Sequence, residues 1–156
     1  MYKLYKSQYN PDNLTGQVGG SIGSATLSGY LGELFYTVSA PPSGVGTGVF
    51  QYRKVFIKND YSTSSTFTRV WIDSAEHLEQ ITIASSVSLS DTTSSPTTPP
   101  AGVSGWVSPT SYSQGLVLGN ISPNGYTGFW IRQELSNIQS PDPYATFRLY
   151  AGGIVS

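Results

Sequence analysis

The chain has 156 residues, no cysteine, a net charge of −1 and only 11% charged residues. Its length suits one domain, or one domain with an arm, and the lack of cysteine excludes disulfides and thiolate metal sites. The charge balance excludes a basic protein that grips nucleic-acid phosphates, because no basic cluster exceeds Arg53-Lys54.

The first 30 residues combine several tyrosines with glycines and few branched aliphatic residues. This composition predicts an extended N-terminal arm over residues 1–30, which becomes an irregular strand around Gln17–Leu27. Tyrosine joins a large contact area to a polar tip, and this suits interfaces. We therefore take four tyrosines as candidate partner-binding residues: Tyr2, Tyr5, Tyr9 and Tyr30. The alternative is an arm that folds back on its own domain.

Strand signals follow in Leu31–Val38, Gln51–Asn59 and Phe67–Asp73, which are rich in β-branched and aromatic residues. The polar stretch Asp60–Thr66 between the last two predicts that they form a β-hairpin. The strand Phe67–Asp73 carries apolar bulk on both faces. A strand of that kind is either central in a sheet or covered by a partner.

Residues 85–109 are dominated by serine, threonine, proline, glycine and valine. Pro96, Pro99 and Pro100 cannot sit in a central ladder, so we predict a long loop with a short strand around Trp106. Long loops of this kind are often functional. Trp106 and Tyr112 are further candidate partner-binding residues, and Trp106 either buries itself locally or inserts into a neighbour.

The remaining segments complete an all-β pattern. Ser74–Glu79 predicts one helical turn at most, and the other segments read as strands: Gln80–Ala84, Gly115–Leu118, Tyr126–Leu135 and Ala145–Ala151. Seven to eight short strands with almost no helix predict an antiparallel β-sandwich, either Ig-like or jelly-roll-like. We expect this domain to span residues 31–156, including the loop at 85–109.

Two tryptophans have positions that bear on function. Trp71 and Trp130 alternate with the residues that we expect to face the core of their strands. They are therefore expected on an outer face, where a partner or a sugar can stack on them. The alternative is that the long loop or the N-terminal arm covers them.

No pattern in the chain indicates catalysis. His77 is the only histidine, and no serine lies in a nucleophile-elbow context, so an exposed turn histidine is expected. The acidic residues Asp73, Glu76 and Glu79 lack the spacing of a calcium loop. We predict no catalytic, cofactor-binding or metal-binding residues, and we predict that the protein is not an enzyme.

Three stretches of the chain contain sequence motifs that are similar to those of one protein family. They are the run Tyr52–Ile72, the run Leu118–Arg132 and the closing strand near Phe147–Leu149. They resemble tailed-bacteriophage and prophage virion structural proteins from Phe50 to the C-terminus. The residues that carry the resemblance are Tyr52, Arg53, Lys58, Asn59, Val70, Trp71, Ile72, Leu118, Gly119, Asn120, Ile121, Pro123, Phe129, Trp130, Ile131, Arg132, Tyr144, Phe147, Arg148, Leu149 and Gly152.

The resemblance implies an Ig-like β-sandwich that serves as a virion component, with capsid decoration (cementing) as its expected role. The implied partners are the major capsid protein and further copies of this chain, for example in a trimer at a local threefold axis. Neither nucleic acid nor a membrane is an expected partner, and no secretory signal is visible. We expect synthesis in the bacterial host cytoplasm and residence on the capsid surface. The alternatives are a tail, neck or fibre component and a carbohydrate-binding adhesion module.

Overall fold

The computed structural model describes residues 1–11, 15–28, 34–35, 49–75, 81–135 and 147–155. This part of the chain forms nine strands and one short 3-10 turn, Tyr112–Gln114. The strands are β1 (Tyr2–Tyr9), β2 (Val18–Thr26), β3 (Val49–Asn59), β4 (Ser65–Ala75), β5 (Ile81–Ser85), β6 (Thr92–Thr93), β7 (Leu116–Ile121), β8 (Tyr126–Leu135) and β9 (Phe147–Val155).

The strands make two antiparallel sheets, so the predicted all-β sandwich class is confirmed. One sheet has six strands in the order β5-β8-β3-β1-β2-β6, and the other has three in the order β7-β4-β9. The sheets enclose one apolar core, in which Val55, Phe129 and Ile131 of the large sheet and Val70 and Ile72 of the small sheet belong to one buried cluster. Burying each such side chain contributes about 1.5–3 kcal/mol.

The predicted hairpin between β3 and β4 is wrong, although both strands exist. β3 pairs with β1 and β8, whereas β4 pairs with β7 and β9. Residues 60–64 therefore carry the chain from one sheet to the other. A polar turn between two β-rich runs suits such a corner as well as a hairpin, and only the packing of both strands around the shared core distinguishes the two.

Asn59 links this corner to the turn between β7 and β8, which also connects the two sheets. Its side-chain amide donates hydrogen bonds to the carbonyls of Thr63 at 2.9 Å and Ile121 at 3.0 Å, and its Oδ1 accepts from the Tyr61 N–H at 3.0 Å. Its backbone pairs with Asn124 and Gly125, in the turn that leads from β7 to β8. One buried side chain thus bonds both inter-sheet crossings.

The predicted N-terminal arm is wrong over Tyr2–Tyr9, which forms β1 inside the large sheet. Tyr2–Lys6 pairs with Val55–Asn59 of β3, and the other edge of β1 pairs with β2. The alternative of a segment that folds back on its own domain is therefore correct here. The physical reason is that β1 supplies backbone partners for the edge of β3, while Leu4 packs against the core. The strand expected around Gln17–Leu27 is confirmed as β2.

Most of the predicted strand Leu31–Val38 lies outside the described residues. Its two described members, Leu34 and Phe35, form a bend and are buried in the core. Tyr30 and the segment 76–80, which contains His77, also lie outside the described part.

The long serine- and proline-rich loop is confirmed apart from the two-residue strand β6, which pairs with β2, and it packs on the outer face of the large sheet. We call residues 86–111 the covering loop. Together with Trp106 and Val103 of this loop, Tyr52 and Trp130 of the sheet form a second apolar cluster. Instead of the short strand expected near Trp106, Val107 makes an isolated bridge to Ile83.

A buried ion pair fastens the covering loop to the sheet. Lys54, which is fully buried, places its Nζ 2.5 Å from the Asp91 carboxylate and 3.1 Å from the Gly20 carbonyl. Burial lowers the pKa of Lys54, and Asp91 opposes that shift. Asp91 also accepts hydrogen bonds from Trp130 Nε1 at 3.0 Å and from the Val87 N–H at 2.9 Å. The covering loop is therefore attached to the outer face of the large sheet around Tyr52, Lys54 and Trp130.

Candidate docking surface

The structure scatters the predicted partner-binding tyrosines of β1. Tyr2 hydrogen-bonds through its hydroxyl to Ser65 Oγ and packs edge-on against Tyr61, so it ties β1 to the small sheet. Tyr5 is half-buried within β1, and Tyr9 is exposed beside Gly20. These three side chains do not form one surface with Trp106 and Tyr112.

Of the two expectations for Trp106, local burial is confirmed, because its side chain packs on its own domain. Its ring lies 5.7 Å from the Tyr52 ring, and the Arg132 guanidinium lies 4.7 Å from the Trp106 ring and 4.5 Å from the Phe50 ring. Burial raises the pKa of Tyr52 in the same cluster. Trp106 and Trp130 therefore help to hold the covering loop in place, and Trp130 does not reach an open outer face.

Tyr112 lies on a different surface, the outer side of the small sheet. We call this surface the aromatic face and define it by the exposed or half-exposed residues Phe67, Arg69, Trp71, Tyr112, Val117, Tyr150 and Ile154. Cross-strand register places Val117 and Gly152 on either side of Arg69, and Tyr150 beside Trp71. Contiguous exposed apolar surface of this kind marks interaction sites.

Four side chains of the aromatic face contact one another in a row, which we call the aromatic row: Tyr150, Trp71, Tyr112 and Arg69. Tyr150 stacks on Trp71 with ring centroids 5.8 Å apart, and Tyr112 packs edge-on against Trp71 at the same centroid distance of 5.8 Å. The Arg69 guanidinium lies 5.4 Å from the Tyr112 ring and donates to the Ser113 carbonyl at 2.7 Å. Side chains that already pack on one another lose less conformational entropy when a partner binds than free side chains do.

Phe67 lies at one end of the aromatic face in an unusual backbone conformation. Its φ is 53°, and its side chain is 65% exposed. Left-handed backbone is uncommon for a bulky residue and costs about 1–3 kcal/mol. The position coincides with a bulge in β4, where the register to both neighbouring strands shifts.

Gly152 leaves room for the Trp71 and Tyr112 rings, because it has no Cβ. A Cβ at this position would meet the Trp71 ring at 3.2 Å and Tyr112 at 3.4 Å. A larger residue must therefore displace the Trp71 ring.

The Gly152→Val variant should show a weaker near-ultraviolet circular dichroism signal, because Trp71 and Tyr150 lose their fixed stacking. We expect a loss of about 1–2 kcal/mol in the free energy of unfolding from this overpacking. The Gly152→Ala variant should show a smaller change in the same direction. An unchanged aromatic spectrum in Gly152→Val would contradict the described packing.

The described residues offer little for chemistry. No group of three histidine, cysteine, aspartate or glutamate side chains lies close enough among them to hold a metal ion. Asp73 pairs with Arg148 at 3.7 Å on the surface, and Glu76, His77 and Glu79 lie outside the described part. Within that part, no helix has the length and apolar character needed to cross a membrane.

Sequence reasoning found part of the aromatic face and missed the rest. Tyr112 was a candidate, and the expectation that Trp71 lies on the outer side of its strand is confirmed. Phe67, Tyr150 and Ile154 were missed. The available signal was the apolar bulk on both faces of Phe67–Asp73, which predicted a strand that is central in a sheet or covered by a partner. β4 is the central strand of the small sheet, and its outer side carries the exposed Phe67 and the half-buried Trp71.

Comparisons with known proteins add no relative to this description. No protein-family model matches the chain, and no curated protein and no solved structure is significantly similar to it.

Proposed function

We propose that this protein is a non-enzymatic structural component of a tailed-phage virion, namely a capsid decoration protein that docks on the shell through its aromatic face. The observation that carries the proposal is a set of aromatic side chains that pack on one another while Tyr112 and Tyr150 stay exposed to solvent. Aromatic residues and arginine dominate the energetics of protein interfaces, and a fixed surface binds with less loss of conformational entropy.

The rest of the molecule supports a role in docking. Among the described residues, the covering loop packs on the outer side of the large sheet, whereas the outer side of the small sheet keeps Phe67, Val117 and Tyr150 exposed. The sparse charge keeps repulsion between neighbouring copies low. Many symmetric copies that each bind weakly stabilise a shell together through multivalent contacts. The partners in this proposal are the major capsid protein and further copies of this chain, and its place is the capsid surface.

A carbohydrate-binding role is the second candidate, and the Trp71–Tyr150 stack favours it. Aromatic rings at a protein surface bind apolar faces of ligands. A glycan on this stack should quench the fluorescence of Trp71, and the quenching should disappear in a Trp71→Phe variant that keeps Trp106 and Trp130. Saturable quenching by a glycan without any shell binding would replace the proposed function with this one.

Docking is tested with shells of the parent virion assembled without this protein. Wild-type protein should sediment with the shells. The Val117→Lys variant should bind at least tenfold more weakly, because it places a charge within the aromatic face. Val117 is 56% exposed, so the substitution should leave the fold intact.

The matched control is Val87→Lys. Val87 is 60% exposed and lies in the covering loop over the opposite sheet. This variant should bind shells as the wild type does. Equal loss of binding in both variants would show that added charge, and not the aromatic face, is responsible. A wild-type protein that binds isolated tails and not shells would favour the tail or neck alternative.

A further inference from the structure

We infer that Phe67 is the anchor of the docking surface, and that it inserts into an apolar pocket of the shell protein whose rim carries a carboxylate that pairs with Arg69. The inference rests on the proposed function and names the recognition chemistry within it.

The backbone conformation of Phe67 is energetically costly. A phenylalanine at positive φ is a strained residue, and strained residues persist only where surrounding contacts enforce them. Glycine or asparagine would adopt the same backbone without that strain. A large apolar side chain in such a place stabilises the folded monomer little through burial, because it is 65% exposed.

Neighbouring residues bind the backbone of the bulge through hydrogen bonds on both sides of Phe67. The Phe67 N–H donates to Asn120 Oδ1 at 3.3 Å, and the Phe67 carbonyl accepts a hydrogen bond from the Tyr112 hydroxyl at 3.0 Å. Tyr112 is itself fixed against Trp71 and Arg69. The aromatic row and the bulge are therefore one connected unit, and the position of Phe67 is set before binding.

Arg69 places a positive charge within the aromatic face. The Arg69 guanidinium donates to the carbonyls of Tyr112 and Ser113, and no described carboxylate lies within ion-pair distance of it. On the same side of the sheet, Arg148 has Asp73 as its partner. Arg69 is thus a half-exposed cation at the centre of an apolar face, and an acidic group on the partner complements it. Complementary charge beside an apolar anchor selects the partner and its orientation.

The test compares Phe67→Asn with the wild type in shell binding and in urea unfolding. Asparagine tolerates the backbone conformation, so the variant should unfold at a higher urea concentration. It should nevertheless bind shells at least tenfold more weakly. A merely structural role for Phe67 predicts that stability and binding fall together, so opposite changes identify an anchor. The control is Leu89→Asn in the covering loop, which should leave shell binding unchanged.

The salt dependence of binding tests the acidic partner. Wild-type binding should weaken between low and high salt, and the Arg69→Gln variant should lose most of that dependence. An unchanged salt slope in Arg69→Gln overturns this part of the inference.

Failure of this inference is distinguishable from failure of the proposed function. If Val117→Lys abolishes binding while Phe67→Asn binds like the wild type, docking stands and the anchor is overturned. If the wild type binds no shell, both are overturned. If Phe67→Asn instead changes the oligomeric state of the free protein, Phe67 inserts into a second copy of this chain, and the inferred shell pocket is wrong.

Discussion

The Asn59→Ala variant should lose about 3 kcal/mol in the free energy of unfolding, measured by urea denaturation with tryptophan fluorescence. The side chain is fully buried, and its amide bonds carbonyls from both corners between the sheets. Alanine leaves those carbonyls buried without their donor, and each such group costs about 1–3 kcal/mol. This loss of free energy should exceed the part that comes from lost packing alone, because the asparagine side chain is small.

Two further variants sharpen this prediction. Ser62→Ala, an exposed position in the same corner, should leave stability nearly unchanged. Asn59→Asp replaces the donor with a carboxylate that faces carbonyl oxygens, and burial raises the pKa of that carboxyl group. The folded state then holds the proton more tightly than the unfolded chain. The variant should therefore be closest to the wild type near pH 4 and lose stability as the pH rises toward 7. A pH-independent deficit would show that the missing donor is not the cause.

The Asp91→Ala variant should lose a similar amount, about 3 kcal/mol, because it leaves a buried lysine without its counter-ion. It also removes the acceptor of Trp130 Nε1. We expect the covering loop to become sensitive to protease, and Trp130 fluorescence to shift to the red as water reaches the ring.

A double-mutant cycle separates the ion pair from the packing. The Lys54→Met/Asp91→Asn double variant removes both charges and keeps an acceptor for Trp130. It should be much more stable than the sum of the single variants predicts. Lys3→Met, at the exposed pair between Lys3 and Asp60, is the matched control and should leave stability nearly unchanged. Additive losses in the cycle would contradict a coupled pair.

The positions of the strands were predicted from the sequence more reliably than the pairing between strands. β3, β4, β5, β7 and β8 lie where alternation and residue type indicated them. Alternation reports which face of a strand is apolar, and this is local information. It does not report which sheet a strand joins. The composition of the segment from Asp60 to Ser64 suits a hairpin turn and a corner between sheets equally well. The contacts of Asn59 that distinguish the two structures come from residues far along the chain.

The same limit explains the N-terminal segment and the docking surface. Tyrosine-rich sequence suits an interface and an inner sheet strand equally, and β1 was placed by its long-range backbone pairing with β3. The aromatic row joins β4, β9 and the turn at Tyr112, which lie far apart in sequence. The backbone of Phe67 follows from a bulge, and no residue pattern marks a bulge that carries phenylalanine.

The central claim is that the aromatic face is the surface that contacts the shell, and the cysteine-free chain permits a direct measurement. Single-cysteine variants Val117→Cys and Ile154→Cys report on this face, and Val87→Cys and Leu89→Cys report on the covering loop. Maleimide labelling rates are compared for free protein and for protein bound to shells. We predict strong slowing at positions 117 and 154 and unchanged rates at 87 and 89. Unchanged rates at 117 and 154 in shell-bound protein would contradict the account.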